Sequence, residues 1–217
     1  MDAVRLADAL NMVESKTSQS EFVQVITANT LMILDAESDA ELQRIFESAG
    51  LVLPESVGVS LLAQVKGLTL PERIPGIDFM IELCALAAQK AWPVYLLGSK
   101  PGVAEQAADR LKIRFPKLTV SGVHHGFFNP ADEPGILQDI LQSKARILFV
   151  GLGVPAQEKW IFRNAHNLSG ICAMGIGGSL DVISGALRRA PRWVSAAGLE
   201  WVYRWVQEPW RWKRMIR

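Results

Sequence analysis

A chain of 217 residues and 23.9 kDa, 49% hydrophobic and 21% charged, has the length of one large domain, or a domain with an appendage, and the composition of a globular protein with a real core. This excludes disordered, collagen-like and disulfide-scaffold classes; Cys84 and Cys172, far apart in apolar surroundings and outside any CxxC, argue against a zinc site or a secreted framework. The net charge of +1 hides an asymmetry, because residues 187–217 carry eight Arg and Lys against two Glu, a net +6 that leaves −5 on residues 1–186.

In chain order, the first segment, MDAVRLADALNMVES, has an amphipathic helical pattern with acids where a signal peptide would be apolar. Strand patterns follow at 22–28, 51–53, 93–98, 118–123, 146–153 and 171–177. Helical patterns lie at 30–48, 77–91, 102–114, 133–143 and 156–167. Apolar runs without strict alternation suit strands covered on both faces. Their alternation with helices predicts an α/β fold: a Rossmann-like, mostly parallel sheet with helices on both faces. Residues 1–186 are expected to form this catalytic domain. Residues 187–217 form an Arg-rich helical appendage that holds five of the seven tryptophans. No run reaches the roughly 18 apolar residues of a membrane span, so the expected location is the cytoplasm, free or resting on a membrane surface.

In such a sheet, ligands bind outside the carboxyl ends of the strands. Those ends carry Thr27, Asn29, Glu55, Gly98, Ser99, Lys100, His125, Gly151, Gly153, Gln157, Gly177 and Gly178. Glycine turns that lead into helices leave N–H groups for anions, which suits phosphate or diphosphate. Neither Gly151-Leu-Gly153 nor Gly175-Ile-Gly177 continues into GxGxxG, and no P-loop occurs. A nicotinamide or flavin enzyme and an ATPase are therefore disfavoured. No DxD follows a strand, and the adjacent His124 and His125 are expected on opposite faces. No metal site and no cofactor are predicted, which leaves amides, Lys100 and tail cations to stabilise a leaving diphosphate. Glu55 in LPES is placed to act as general base. Asp78 has the position of a first-turn acid, and Glu158 that of a residue complementing a helix dipole. The Arg and Trp of the tail suit a lipid interface, with intramolecular packing and nucleic acid as alternatives.

Six segments, LPERIPGID at 70–78, VYLLGSKPGVAEQAADRL at 94–111, VSGVHHGFF at 120–128, GLGVPAQEKWI at 151–161, GIGGSLDVISG at 175–185 and RRAPRWVSAAGLEWVYRWVQEPWR at 188–211, occur in unbroken order. Together they resemble the WecG/TagA/CpsF glycosyltransferase family. The resemblance implies transfer of N-acetylmannosamine, or a related sugar, from a UDP-sugar to polyprenyl-diphosphate-linked N-acetylglucosamine in cell-envelope polysaccharide or teichoic acid synthesis. It implies inversion without bound metal and membrane association through the appendage, which narrows the expected location to cytoplasmic, peripheral at the inner face of the cell membrane. It is compatible with a homo-oligomer; no nucleic-acid partner is expected, since no nucleic-acid module occurs and the body is acidic. By the same resemblance, Thr27 and Asn29 form a Thr-x-Asn turn beside a base at Glu55. Arg73 and Asp78 match an RxxGxD segment, Gln157 matches a GxPxQE turn, and Arg204, Arg211 and Arg214 close over the diphosphate. The family's Pro-Asp-Gly is here Pro54-Glu55-Ser56. Its carboxylate reaches one C–C bond further and Ser56 lacks glycine's freedom, so the alternative is a catalytically impaired nucleotide-sugar-binding or scaffold homologue.

Overall fold

The computed structural model describes residues 1–191, 194 and 200–207. In chain order its elements are α1 (Leu6–Ser18), β1 (Val23–Ala28), α2 (Thr30–Ser38), α3 (Ala40–Ser48), β2 (Leu51–Pro54), α4 (Val57–Val65), α5 (Gly76–Lys90) and β3 (Val94–Gly98). They continue with α6 (Val103–Arg114), β4 (Val120–His124), α7 (Glu133–Gln142), β5 (Ile147–Gly151), α8 (Ala156–Asn164), β6 (Cys172–Gly175), α9 (Ser179–Ile183) and α10 (Glu200–Gln207). The six strands form one sheet in the order β2-β1-β6-β5-β3-β4, and every neighbouring pair is parallel.

Period-two alternation along the strands assigns each helix to a face. Val23 and Val25, Val94 and Leu96, Ile147 and Phe149, and Cys172 and Met174 pack with residues of α1, α5, α6 and α9. The intervening Tyr95, Leu97, Leu148, Val150 and Ala173 pack with α7 and α8. Ile26, Ala28 and Val52 meet α2 and α3. All strands but the half-buried edge strand β4 are buried on both faces because both faces are covered, and burying each large side chain is worth about 1.5–3 kcal/mol. Cys84 and Cys172 are free and buried. Burial pushes both thiols up to about 12, so they act as small core hydrophobes.

Several elements differ from the sequence pattern. The helical stretch at 30–48 is broken at Asp39, whose extended backbone (φ −113°, ψ 96°) separates α2 from α3 and whose carboxylate accepts the N–H groups of Glu41 and Leu42. A helix that the apolar pattern missed, α4, starts behind the Ser56 hydroxyl, which accepts Val59 N–H at 3.3 Å. The strand expected at 118–123 runs from Val120 to His124. The helix expected to reach 167 stops at Asn164 and gives way to a 3₁₀ turn, Ala165–Asn167.

Among the described residues, no helix is long and apolar enough to cross a membrane. Near the chain's end, Arg188 exchanges hydrogen bonds with the Gln207 amide at 3.1 and 3.0 Å. This ties α10 to the segment leaving α9. Arg204 lies on α10 with its side chain outside the described set; Arg211 and Arg214 lie outside the described residues.

Candidate active site

The carboxyl ends of the strands bring most of the expected residues into three neighbouring groups. The first surrounds Glu55, which follows β2. Its backbone N–H donates to Ala28 O at 3.0 Å, which places it beside the end of β1. Its Oε1 accepts Gly76 N–H at 3.1 Å, and its carbonyl accepts Arg73 Nη1 at 3.3 Å. A Cβ on Gly76 would lie 3.0 Å from both Glu55 Oε1 and Thr27 Oγ1, so the missing side chain lets the start of α5 close onto both groups. Thr27 is buried and Glu55 half-buried. Asn29 caps α2, with Oδ1 accepting Met32 N–H at 3.0 Å. Ser56 sits at φ −104° and ψ 154°. That is ordinary extended backbone, so the freedom of a glycine is not needed here.

The second group lies where α8 meets the turn after β6. Gln157 and Glu158 are 2% and 1% exposed. Gln157 Oε1 accepts Gly177 N–H at 2.9 Å, and its Nε2 donates to Glu158 Oε1 at 2.7 Å. Glu158 Oε2 is buried with no partner. Burial pushes this carboxyl up to about 7, against the lowering effect of the Gln157 hydrogen bond, and the charge of Glu55 adds to the rise. The position of a dipole-complementing surface acid is thus occupied by a sealed carboxyl, a residue that sequence pattern alone under-rated.

The third group joins β3, β5 and the start of α9. Gly98 and Gly151 are paired in register. At φ +144°, a Cβ on Gly98 would stand 2.6 Å from Gly151 Cα, so only glycine lets these strand ends meet. Ser99, itself at φ +58°, donates its hydroxyl to Asp181 Oδ1 at 2.7 Å. The one sequence signal for Asp181 is its position shortly after the glycine turn Gly177-Gly178. Gly153 takes φ +81° ahead of α8, and Gly153 O accepts Gln157 N–H at 2.9 Å. Lys100 is exposed on the turn after β3.

His124 and His125 do not point to opposite faces. β4 ends at His124, so strict alternation stops there. The two rings lie 4.6 Å apart between centroids, and His124 Nδ1 is 2.7 Å from His125 O. Among the described residues, no group of three His, Cys, Asp or Glu side chains is placed to hold a metal ion. Asp78 stands apart from the three groups, on the rim, where Arg189 Nη2 donates to both its oxygens at 2.7 Å. Arg73 reaches the same side of the molecule as α10, with Nη1 3.9 Å from Glu200 Oε2.

Residues 1–217 match the sequence profile of the Glycosyl transferase WecG/TagA/CpsF family. The chain is 32% identical over 192 residues to the N-acetylglucosaminyldiphosphoundecaprenol N-acetyl-beta-D-mannosaminyltransferase of Bacillus subtilis (strain 168), covering 88% of this chain and 74% of the relative. A protein of the same name from Bacillus spizizenii is 32% identical over 198 residues, 91% and 76% of the two chains. Another, from Staphylococcus aureus (strain MW2), is 32% identical over 193 residues, 89% and 74%.

Proposed function

The chain belongs to the WecG/TagA/CpsF family and is a glycosyltransferase, and from that premise we propose that it moves N-acetylmannosamine from UDP to a polyprenyl-diphosphate-linked N-acetylglucosamine, with inversion and without a bound metal ion. The observation that carries the mechanism is the anchored carboxylate at the meeting of β1, β2 and α5. Glu55 is aimed by the Gly76 N–H and lies next to Thr27. In the proposed step Glu55 takes the proton of the acceptor hydroxyl and the hydroxyl oxygen attacks the anomeric carbon. The bond from that carbon to the diphosphate oxygen breaks, and UDP leaves from the opposite face with the electron pair.

The charge that develops on UDP falls to backbone N–H groups of the 151–153 turn and of Gly178, to Arg73, and to Lys100. Thr27 and Asn29 line the base, Gln157 shapes the second turn, and Gly98, Ser99 and His125 border the third. Asp78 is assigned to holding Arg189 at the rim. Arg204, Arg211 and Arg214 of the appendage are proposed to close over the diphosphate, with residues 187–217 carrying the protein to an anionic membrane surface. Ordinary backbone angles at Ser56 support an active enzyme over an impaired homologue, because serine fits that position without strain.

The test is incubation with UDP-N-acetylmannosamine and a short-chain polyprenyl-diphospho-N-acetylglucosamine, with the lipid-linked disaccharide as readout. Glu55→Gln is expected to lower turnover about 100-fold or more while keeping donor binding; normal turnover would remove Glu55 from the base role. EDTA is expected to leave the rate unchanged. An EDTA-silenced enzyme restored by magnesium or manganese would overturn the metal-free reading.

A further inference from the structure

Among the described residues, Glu158 is the only acidic side chain in the buried class, and the proposed displacement makes no use of it. Its placement is nevertheless closely specified. The start of α8 is tied to β1 by Gln24 Nε2, which donates to Glu158 O at 3.0 Å. At the end of β6, a Cβ on Gly175 would fall 2.6 Å from Gln157 Nε2 and 2.6 Å from Glu158 Oε1. The strand therefore leaves room for this pair of side chains and for nothing larger.

The hydrogen bonds form a relay with a direction. Glu158 Oε1 accepts from Gln157 Nε2 at 2.7 Å, and Gln157 Oε1 accepts from Gly177 N–H at 2.9 Å. A primary amide presents an acceptor on one side and donors on the other. With an acceptor at Glu158 and a donor at Gly177, only one orientation satisfies both; the flipped amide would set oxygen against oxygen and N–H against N–H. Without an acceptor at position 158, Gln157 Nε2 would be left buried without this partner, and the amide would be held on the Gly177 side alone.

We propose that Glu158 is a positioning residue for the donor's diphosphate: its Oε1 fixes the amide of Gln157, and through it the Gly177 N–H and the shape of the 175–178 turn. This rests on the reading of that turn as a diphosphate cradle. The role calls for an acceptor oxygen, not a charge. Glu158 Oε2 has no partner, and burial raises the carboxyl to about 7, which makes the neutral acid accessible near neutrality.

The experiment compares Glu158→Gln, which keeps an acceptor oxygen, with Glu158→Leu, which does not, alone and combined with Gln157→Ala. Donor KM and kcat are measured with UDP-N-acetylmannosamine, and solvent exchange of the Gly177 amide is followed by nuclear magnetic resonance. Glu158→Leu is expected to raise donor KM roughly tenfold, the scale of one buried hydrogen bond, with a smaller change in kcat. It should also expose the Gly177 amide to exchange. Glu158→Gln should restore both readouts. In the Gln157→Ala background, Glu158→Leu should add no more than about twofold, because the two residues act as one unit.

Unchanged donor KM and a protected Gly177 amide in folded Glu158→Leu would overturn the proposal, as would a Glu158→Gln enzyme as impaired as Glu158→Leu. If Glu158→Leu does not fold, Gly175→Ala takes its place, since its Cβ displaces the same two atoms, and the same outcomes decide. Failure of the functional reading looks different: the wild-type chain makes no disaccharide. Gly177 exchange and the Kd for UDP alone then still decide the fate of Glu158.

Discussion

Glu55 and Glu158 carry the same carboxyl group in opposite settings, and the contrast shows what side-chain chemistry owes to its surroundings. Glu55 is half-buried and accepts a backbone N–H, whereas Glu158 is sealed beneath the turn that follows β6. For Glu158 the folded-state value of about 7 stands above the ordinary 4.5. Between these values the folded chain binds more protons than the unfolded chain, so stability falls as pH rises through that window. At about 1.4 kcal/mol per pKa unit, the wild type forgoes on the order of 3 kcal/mol at pH 8. Glu158→Gln is therefore expected to be the more stable protein by about that amount at pH 8, with the two converging towards pH 4. Urea unfolding at the two pH values checks this, and a constant difference between them would show that Glu158 does not titrate as a buried acid. The placement of Thr27, Glu55 and Gln157 at the carboxyl edge of the sheet was legible in the sequence because they end strands or follow glycine turns. Glu158 could not, because an acid in a first helical turn is ordinarily a solvated partner of the dipole. That both adjacent residues turn inward depends on how α8 lies against β6, a tertiary fact. The histidines show the complement: alternation failed at His124 because the strand ends there.

At the scale of elements, the sheet was legible and the helix boundaries less so. Strands with apolar residues on both faces announce a covered parallel sheet. The unbroken helical pattern at 30–48 misled because Met32 of α2 and Leu42 and Ile45 of α3 all pack into one cluster on the same face. The break itself is encoded in Asp39, which caps α3 and pairs with Lys159 Nζ at 2.5 Å. That ion pair and the capping hydrogen bonds hold the Asp39 carboxyl below the usual carboxylate range. Asp39→Ala removes the cap of α3 and should lower the thermal midpoint by about 2–8 °C in a chain of this size. A midpoint unchanged by calorimetry would mean that the break is held by packing alone. Helix α4 escaped the pattern because Val57, Val59 and Val65 are β-branched and Gly58 interrupts them, all poor helix formers, leaving the Ser56 cap as the one local signal.

For the molecule as a whole, the attachment of its last described helix matters most. The contacts are the Arg189–Asp78 pair, the Arg73–Glu200 approach at 3.9 Å and the exchange between Arg188 and Gln207. Exposed ion pairs of this kind are worth up to about 1 kcal/mol each. Asp78→Ala is accordingly expected to shift the thermal midpoint of the protein by no more than about 4 °C, while freeing Arg189 and reducing transfer to the lipid-linked acceptor. Transfer equal to wild type would detach that rim pair from function. Removing residues 187–217 is expected to abolish co-sedimentation with anionic-lipid vesicles, and undiminished binding would move the membrane contact to the body of the protein. The charge contrast between body and tail was visible in composition; the rim contacts were not, since Asp78 and Arg189 are distant in sequence.

The strand order has a further consequence, for biosynthesis. Within this sheet, β1, the earliest strand in sequence, lies between β2 and β6, the latest described strand. A nascent chain emerging from the ribosome can pair β1 with β2 early, but the other edge of β1 waits until Cys172–Gly175 has been translated. Until then the half built on β3, β4 and β5 has no bridge to the half built on β1 and β2, and two unfinished edges stand open to wrong partners. Closure of the sheet, and with it assembly of the Glu55 and Glu158 groups in one place, therefore cannot precede translation of β6.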